Sequence, residues 1–156
     1  MDLDRIKADY QGQVFDETTF TVNAQTLVAY ARACGERSGR FTNPDDADFQ
    51  AVPTFVSSFQ ARRRLPKGFP KLPGMGMDGG KVVTVHAPLR AGQTVTGRTH
   101  IEDVYAKTGR SGTMTFIVLR MNIFTADEQL IASADTNMVI RERAQKQKEP
   151  GEESAS

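Results

Sequence analysis

Two histidines, one cysteine and a triple arginine are the residues of this chain with the sharpest chemistry. A histidine moves protons near neutral pH when a partner orients it. His86 and His100 both fall in alternating apolar stretches, without an acidic neighbour at a useful spacing. Each reads as a strand histidine, with an acid–base role as the alternative. Arg62, Arg63 and Arg64 could meet phosphate groups, which guanidinium forks bind bidentately. The favoured reading is the solvated basic end of a helix, where cations suit the dipole. Cys34 is the single cysteine, so no internal disulfide is possible. It reads as a small residue on an apolar helix face. No Cys/His cluster has zinc spacing, and no Gly-rich stretch reads as a phosphate loop. Neither a metal nor a resident cofactor is expected.

The elements that position these groups follow from periodicity. Val52, Phe55, Val56 and Phe59 recur at helical spacing. Pro53 suits a first helical turn. The pattern predicts a mostly buried helix over Val52–Arg64, with Ser57, Ser58 and Ala61 letting a sheet approach closely. Ahead of it, Leu3, Ile6 and Tyr10 suggest a short helix over 2–10, and Phe20 and Val22 a strand near 18–22. Asn23 reads as an N-cap and Gly35 as C′ of a helix from about Ala24 to Cys34. Residues 36–50 read as a loop, with a turn of helix near Pro44–Phe49. Residues 65–80 hold three prolines and five glycines and read as a second irregular segment.

Four strands follow, over Lys81–Arg90, Thr94–Tyr105, Thr113–Phe124 and Leu130–Ile140. Short, turn-rich connectors make them antiparallel. Thr113–Phe124 is apolar on both faces, which a strand covered on both sides needs. A partner sheet is the simplest cover. The expected class is α+β, an antiparallel sheet of about five strands wrapped around a central helix. Residues 1–142 read as one domain. The charged, small-residue tail 143–156 reads as disordered.

Composition excludes several partners. Net charge is +1 in 156 residues, so no overall field points to nucleic acid or a membrane surface. No apolar run approaches a membrane span. The opening Met-Asp-Leu-Asp-Arg-Ile-Lys has no signal-peptide core, and a lone cysteine suits the cytoplasm.

Five pieces carry a family resemblance. They are Val22-Asn23, Leu27 to Glu36, Ala51-Val52-Pro53-Thr54-Phe55, His86 to Gly92, and Ile101 to Gly109. In this order and spacing the chain resembles the MaoC-like dehydratases, whose fold is the hotdog. It is most similar to the small members and N-terminal halves of the fatty-acid-synthase-type branch. The resemblance implies hydration of a trans-2-enoyl thioester. Catalytic members carry Gly-Asp-x-Asn-Pro-x-His, whose aspartate and histidine activate water, and take an oxyanion donor from the start of the central helix. Aligned on Gly35, this chain has Glu36 for the aspartate, Ser38 and Gly39 for the asparagine and proline, and Phe41 for the histidine. Pro53, which has no N–H, stands where catalytic members offer glycine.

The resemblance therefore implies a non-catalytic subunit that helps form an acyl pocket. Its expected partner is a catalytic hotdog subunit bearing the aspartate and histidine. The expected substrate is an acyl-CoA or an acyl group on a carrier protein. Phe41, Pro53, Thr54, Phe55 and Phe59 are the pocket candidates, and Arg62, Arg63 and Arg64 the candidates for coenzyme A phosphates. Glu36 is a weak acid candidate. An acyl-CoA-binding homodimer without activity is the alternative, and a thioesterase using Glu36 a further one.

Overall fold

Asn23 and Gly35 bracket a helix as their residue types require. The Asn23 Oδ1 accepts the backbone N–H of Gln25 at 2.8 Å and of Thr26 at 3.3 Å. Gly35 takes φ +79°, a left-handed conformation glycine adopts without strain. The Glu36 N–H then reaches the Ala31 carbonyl and the Gly35 N–H reaches that of Arg32, which closes the helix end. The computed structural model describes residues 2–143. In it α1 spans Leu3–Tyr10, α2 spans Ala24–Ala33, and a single turn, α3, spans Gly39–Thr42. The strands are β1 (Val14–Thr21), β2 (Met75–Val85), β3 (Thr94–Gly109), β4 (Gly112–Phe124) and β5 (Leu130–Arg143).

All five strands form one antiparallel sheet in the order β1-β3-β4-β5-β2. The register sets two faces. Gly97, Thr99 and Ile101 of β3 lie opposite Ile123, Met121 and Leu119 of β4, and these face the helices. Arg98 and His100 alternate onto the other face. One core cluster packs α2 and the segment after Val52 on the sheet through Leu27, Phe55, Val56, Met121 and Ile131. Burying a side chain such as Leu27 contributes about 1.5–3 kcal/mol. A second cluster packs α1 through Ile6, Ile101, Val104, Ile117 and Leu119. Phe69 and Leu72 of the irregular segment close over it.

Several boundaries differ from those the sequence suggests. The central helix is a 3-10 segment, Pro53–Ser58, rather than a helix to Arg64. Side chains take its carbonyls: Ser58 Oγ donates to the Phe55 carbonyl at 2.7 Å, and Lys81 Nζ to that of Ser57 at 2.7 Å. Such bonds compete with a helical ladder. Phe59 is already extended. β2 begins at Met75, earlier than Lys81, because Met75–Asp78 pair with β5 despite Gly76 within the paired stretch and Gly79 and Gly80 in the bulge that follows. It ends at Val85, where the regular ladder gives way to the His86 and Ala87 N–H groups both donating to the Ile131 carbonyl of β5. The short helical turn lies at 39–42 rather than 44–49. Cys34 is exposed as the C-cap of α2, because the buried stripe ends at Ala31. Arg143 still belongs to β5; the rest of the tail lies outside the described residues.

Candidate functional site

A cavity of about 600 Å3 lies between the inner sheet face and the segment that follows the 3-10 turn. Thr99, Leu119, Met121, Ala134 and Thr136 form its floor. Leu119 belongs to the second core cluster and Met121 to the first, so the cavity separates them. Phe59 and Leu65 stand on the roof side, and Arg63, Arg64 and Lys81 are exposed around it. A helix continued to Arg64 would follow a different path; the early end of the 3-10 turn leaves this space.

The roof is pinned from β1. Asp16, 8% exposed, accepts the backbone N–H of Arg62 and of Arg63, each at 3.2 Å, and the Thr18 hydroxyl at 2.7 Å. A buried carboxylate needs such donors. Phe59 stacks on Phe20 with ring centres 4.2 Å apart and meets Phe55 edge-on at 5.6 Å.

The remaining sequence candidates are dispersed. Phe55 is buried in the core, edge-on to Tyr30 at 5.3 Å. Thr54 accepts the Tyr30 hydroxyl at 3.1 Å through both its carbonyl and its Oγ1, which docks the 3-10 turn on α2. Pro53 opens that turn beside a minor crevice shared with Val56 and Ile131. Phe41 is half-buried on α3 under the Arg40 guanidinium, 6.0 Å from its ring centre, and does not line the large cavity. Glu36 is half-buried at the end of α2. Of the arginines, Arg63 and Arg64 border the cavity while Arg62 contributes its backbone to Asp16. The structure thus brings together Phe59, Arg63 and Arg64, and leaves Phe41, Pro53 and Glu36 elsewhere.

The 36–50 loop is held by charge. Asp48 accepts Arg40 Nε at 2.6 Å and Arg90 Nη2 at 3.0 Å. Hydrogen bonds from Arg90 and then Arg40 hold its carboxyl below the usual range.

A second cluster occupies the outer sheet face. His100 and Glu102 do form a pair, Nε2 to Oε2 at 2.9 Å, which the sequence reading missed. The signal was present, since residues two apart on a strand share a face; the bulge at Glu102 brings the carboxylate round. Arg120 bridges Glu102 at 2.7 Å and Asp135 in a fork of 2.7 and 2.8 Å. Asp135 chiefly raises the Arg120 pKa. Nearby, Arg98 joins Glu128 through two hydrogen bonds, at 2.6 and 2.9 Å, and Glu17 at 2.8 Å.

A family model described as FAS1-like, dehydratase domain region, matches residues 9–134. The chain belongs to this FAS1-like dehydratase family. A UPF0336 protein of Saccharopolyspora erythraea is 25% identical over 140 residues, spanning 81% of this chain and 85% of that protein. Solved structures agree in fold. A chain of the C-terminally truncated HadBC complex, a 3R-hydroxyacyl-ACP dehydratase of Mycobacterium tuberculosis, matches with a TM-score of 0.64 at 20% identity, covering 85% of this chain and 98% of that one. A chain of the ChsH1–ChsH2 complex of the same organism matches at 0.64 and 15% identity, covering 97% and 96%. A MaoC-like dehydratase from Phytophthora capsici matches at 0.62 and 24% identity, covering 97% of this chain and 54% of that one. The five-stranded sheet around a short helical segment is therefore the hotdog fold of the FAS1-like and MaoC-like dehydratases. No helix among the described residues is long and apolar enough to cross a membrane.

Proposed function

We propose that this chain is the non-catalytic, acyl-pocket-forming subunit of a heteromeric MaoC-like (R)-specific enoyl-thioester hydratase or 3-hydroxyacyl-thioester dehydratase, working in the cytoplasm. The observation that carries the reading is the chemistry of the cavity lining. It has room for an acyl chain, a floor that is largely apolar, and Arg63, Arg64 and Lys81 to meet phosphates. Among the described residues that line it there is no histidine and no glutamate. Its one lining carboxylate, Asp78, accepts the Gly80 N–H at 2.8 Å on the exposed edge strand. Adding water across an enoyl double bond needs a proton-transfer group near its working pH. This lining supplies binding without that group.

Two further features support a partner. β2 is an edge strand whose Met75, Met77, Val82 and Val85 are exposed, and unpaired apolar edges favour pairing with another sheet. HadBC and ChsH1–ChsH2 are themselves described as complexes. A hotdog subunit bearing the aspartate and histidine would complete the reaction site.

The test is enoyl-CoA hydration by the purified chain, alone and mixed with a hotdog subunit carrying Gly-Asp-x-Asn-Pro-x-His. Turnover is expected from the mixture, and from the chain alone only background. A lost acid–base pair typically removes about 100- to 10,000-fold. Robust turnover by the chain alone, abolished in Glu36→Gln, would overturn the reading.

A further inference from the structure

The register lays out the outer sheet face in levels that cross the strands. Tyr105, Phe116, Val139 and Met77 stand opposite one another in turn on β3, β4, β5 and β2, so one level is apolar from side to side. The Tyr105 and Phe116 rings stack there with centres 4.9 Å apart. Side chains on one face recur every second residue. The level toward the β3–β4 turn is basic, with Lys107 and Arg141 flanking Met114. The level on the opposite side holds Asp103, Val118 and Asn137. Lys107 is exposed, and its Nζ rests over the two rings at 5.6 and 5.3 Å from their centres. Asp103 meets Lys7 at 3.0 Å and the Val104 N–H at 2.8 Å, both through Oδ1, and its side chain is still 42% exposed. One level further out lie Gly109 and Gly112 on the basic side, and His100 and Arg120 on the acidic side.

We propose that this face docks a second copy of the same chain, the two sheets packed face to face about a two-fold axis along the apolar level. Such an interface uses the same patch twice. Each strand then lies over its own counterpart in reverse, and Tyr105 and Phe116 meet their own copies. Lys107 of each copy meets Asp103 of the other, so the axis creates two opposite-charge pairs. The two glycines of the hairpin end meet the bulky His100 and Arg120, so space faces volume. A two-fold axis along β4 would instead set Lys107 against Arg141, like on like, which is disfavoured. Three levels across four strands, at about 4.8 Å between strands and about 3.4 Å per residue, cover roughly 400 Å2 on each copy. A standard interface takes about 800 Å2 per partner, so this pairing is weak and reversible. The face lies on the far side of the sheet from the cavity floor and does not depend on what the cavity binds.

The experiment is sedimentation velocity of the full-length chain, from low micromolar to several hundred micromolar, at low and high salt. Each variant is first checked for fold by circular dichroism. The wild type should associate reversibly, and less at high salt. Lys107→Glu sets like charges against Asp103 and should raise the dissociation constant roughly 10-fold. Adding Asp103→Asn, which keeps an acceptor for the Val104 N–H, removes that repulsion and should recover part of the loss. Phe116→Lys puts two lysines together on the axis and should abolish association. A wild type that stays monomeric throughout overturns the inference and leaves the face to a different protein. Association unchanged in Lys107→Glu and Phe116→Lys also overturns it, since pairing then runs through another surface such as the β2 edge. So does a double variant as weak as Lys107→Glu alone, because Lys107 then does not face Asp103.

Discussion

Asp16 Oδ1 accepts the backbone N–H of Arg63 at 3.2 Å, across 47 positions of sequence. This contact ties the first strand to the segment that roofs the cavity. Without it, nothing local in Phe59–Arg64 would hold the chain extended above the sheet, since the 3-10 ladder has already ended at Ser58.

Asp16→Ala is therefore expected to destabilise the fold by about 1–3 kcal/mol, the cost of leaving buried donors unpaired. Urea unfolding should show a lower midpoint. Ligand affinity should fall further than the lost stability alone explains, because the roof loses its anchor. Asp16→Asn retains one acceptor oxygen and should lie between. A variant as stable as the wild type would show that the roof is held by Phe59 and Leu65 alone.

Acid should weaken the surface pairs in a defined direction. Hydrogen bonds with Arg90 and Arg40 lower the Asp48 pKa, and that with Arg98 lowers the Glu128 pKa. A carboxylate whose folded pKa lies below its unfolded value adds stability above the unfolded value, about 4 for these groups. That contribution disappears as pH falls through the folded value. Thermal midpoints should thus hold steady from neutral pH and decline below about pH 4. The double variant Asp48→Asn, Glu128→Gln should start lower and decline less. Because both carboxylates are solvent-accessible, raised salt should narrow the difference. Parallel curves for the two proteins would remove these pairs from the account.

Local chemistry made much of this fold legible. Asn23 and Gly35 mark α2 because their cap roles depend on their own side chains and backbone. The alternation of Val95, Thr99 and Ile101 shows a strand because burial there has period two. The central segment was harder. Val52, Phe55, Val56 and Phe59 have helical spacing, yet the bonds that end the helix come from Lys81 and Asp16, distant in sequence. The first half of β2, before Lys81, was concealed by its glycines, since pairing with β5 overrides their weak strand preference. The cavity left no linear signature, as its floor and roof come from three strands and a loop. Thr99 reads in sequence as an ordinary strand threonine; only the packing shows that its hydroxyl is unpaired.

His100 should prove irrelevant to ligand binding. It pairs with Glu102 on the outer face, whereas Thr99 beside it lines the cavity on the inner face. His100→Ala should leave thioester affinity unchanged within error. It frees Glu102 from one partner while Arg120 keeps hold of it, so the stability loss should be about 1 kcal/mol. A large loss of affinity, with the fold intact by circular dichroism, would contradict this placement.

Chain length should be set by Phe59 rather than Phe41. Phe59 borders the cavity and is braced by Phe20 and Phe55. Phe41 sits on α3, against Arg40, outside the lining. Shortening Phe59 to leucine keeps an apolar roof but removes part of the ring from the space a chain end would fill. The optimum in a series of acyl thioesters should shift to longer chains, with binding of short chains weakened as contacts are lost. Some stability goes with the aromatic stack, about 0.5–1.5 kcal/mol beyond the area effect. Phe41→Ala is expected to loosen the 36–50 loop, with a lower thermal midpoint and an unchanged chain-length optimum. The two variants are compared by titrating the same thioester series against each. A shifted optimum in Phe41→Ala and none in Phe59→Leu would place the acyl chain against α3 instead, and would move the pocket from the inner sheet face to the 36–50 loop.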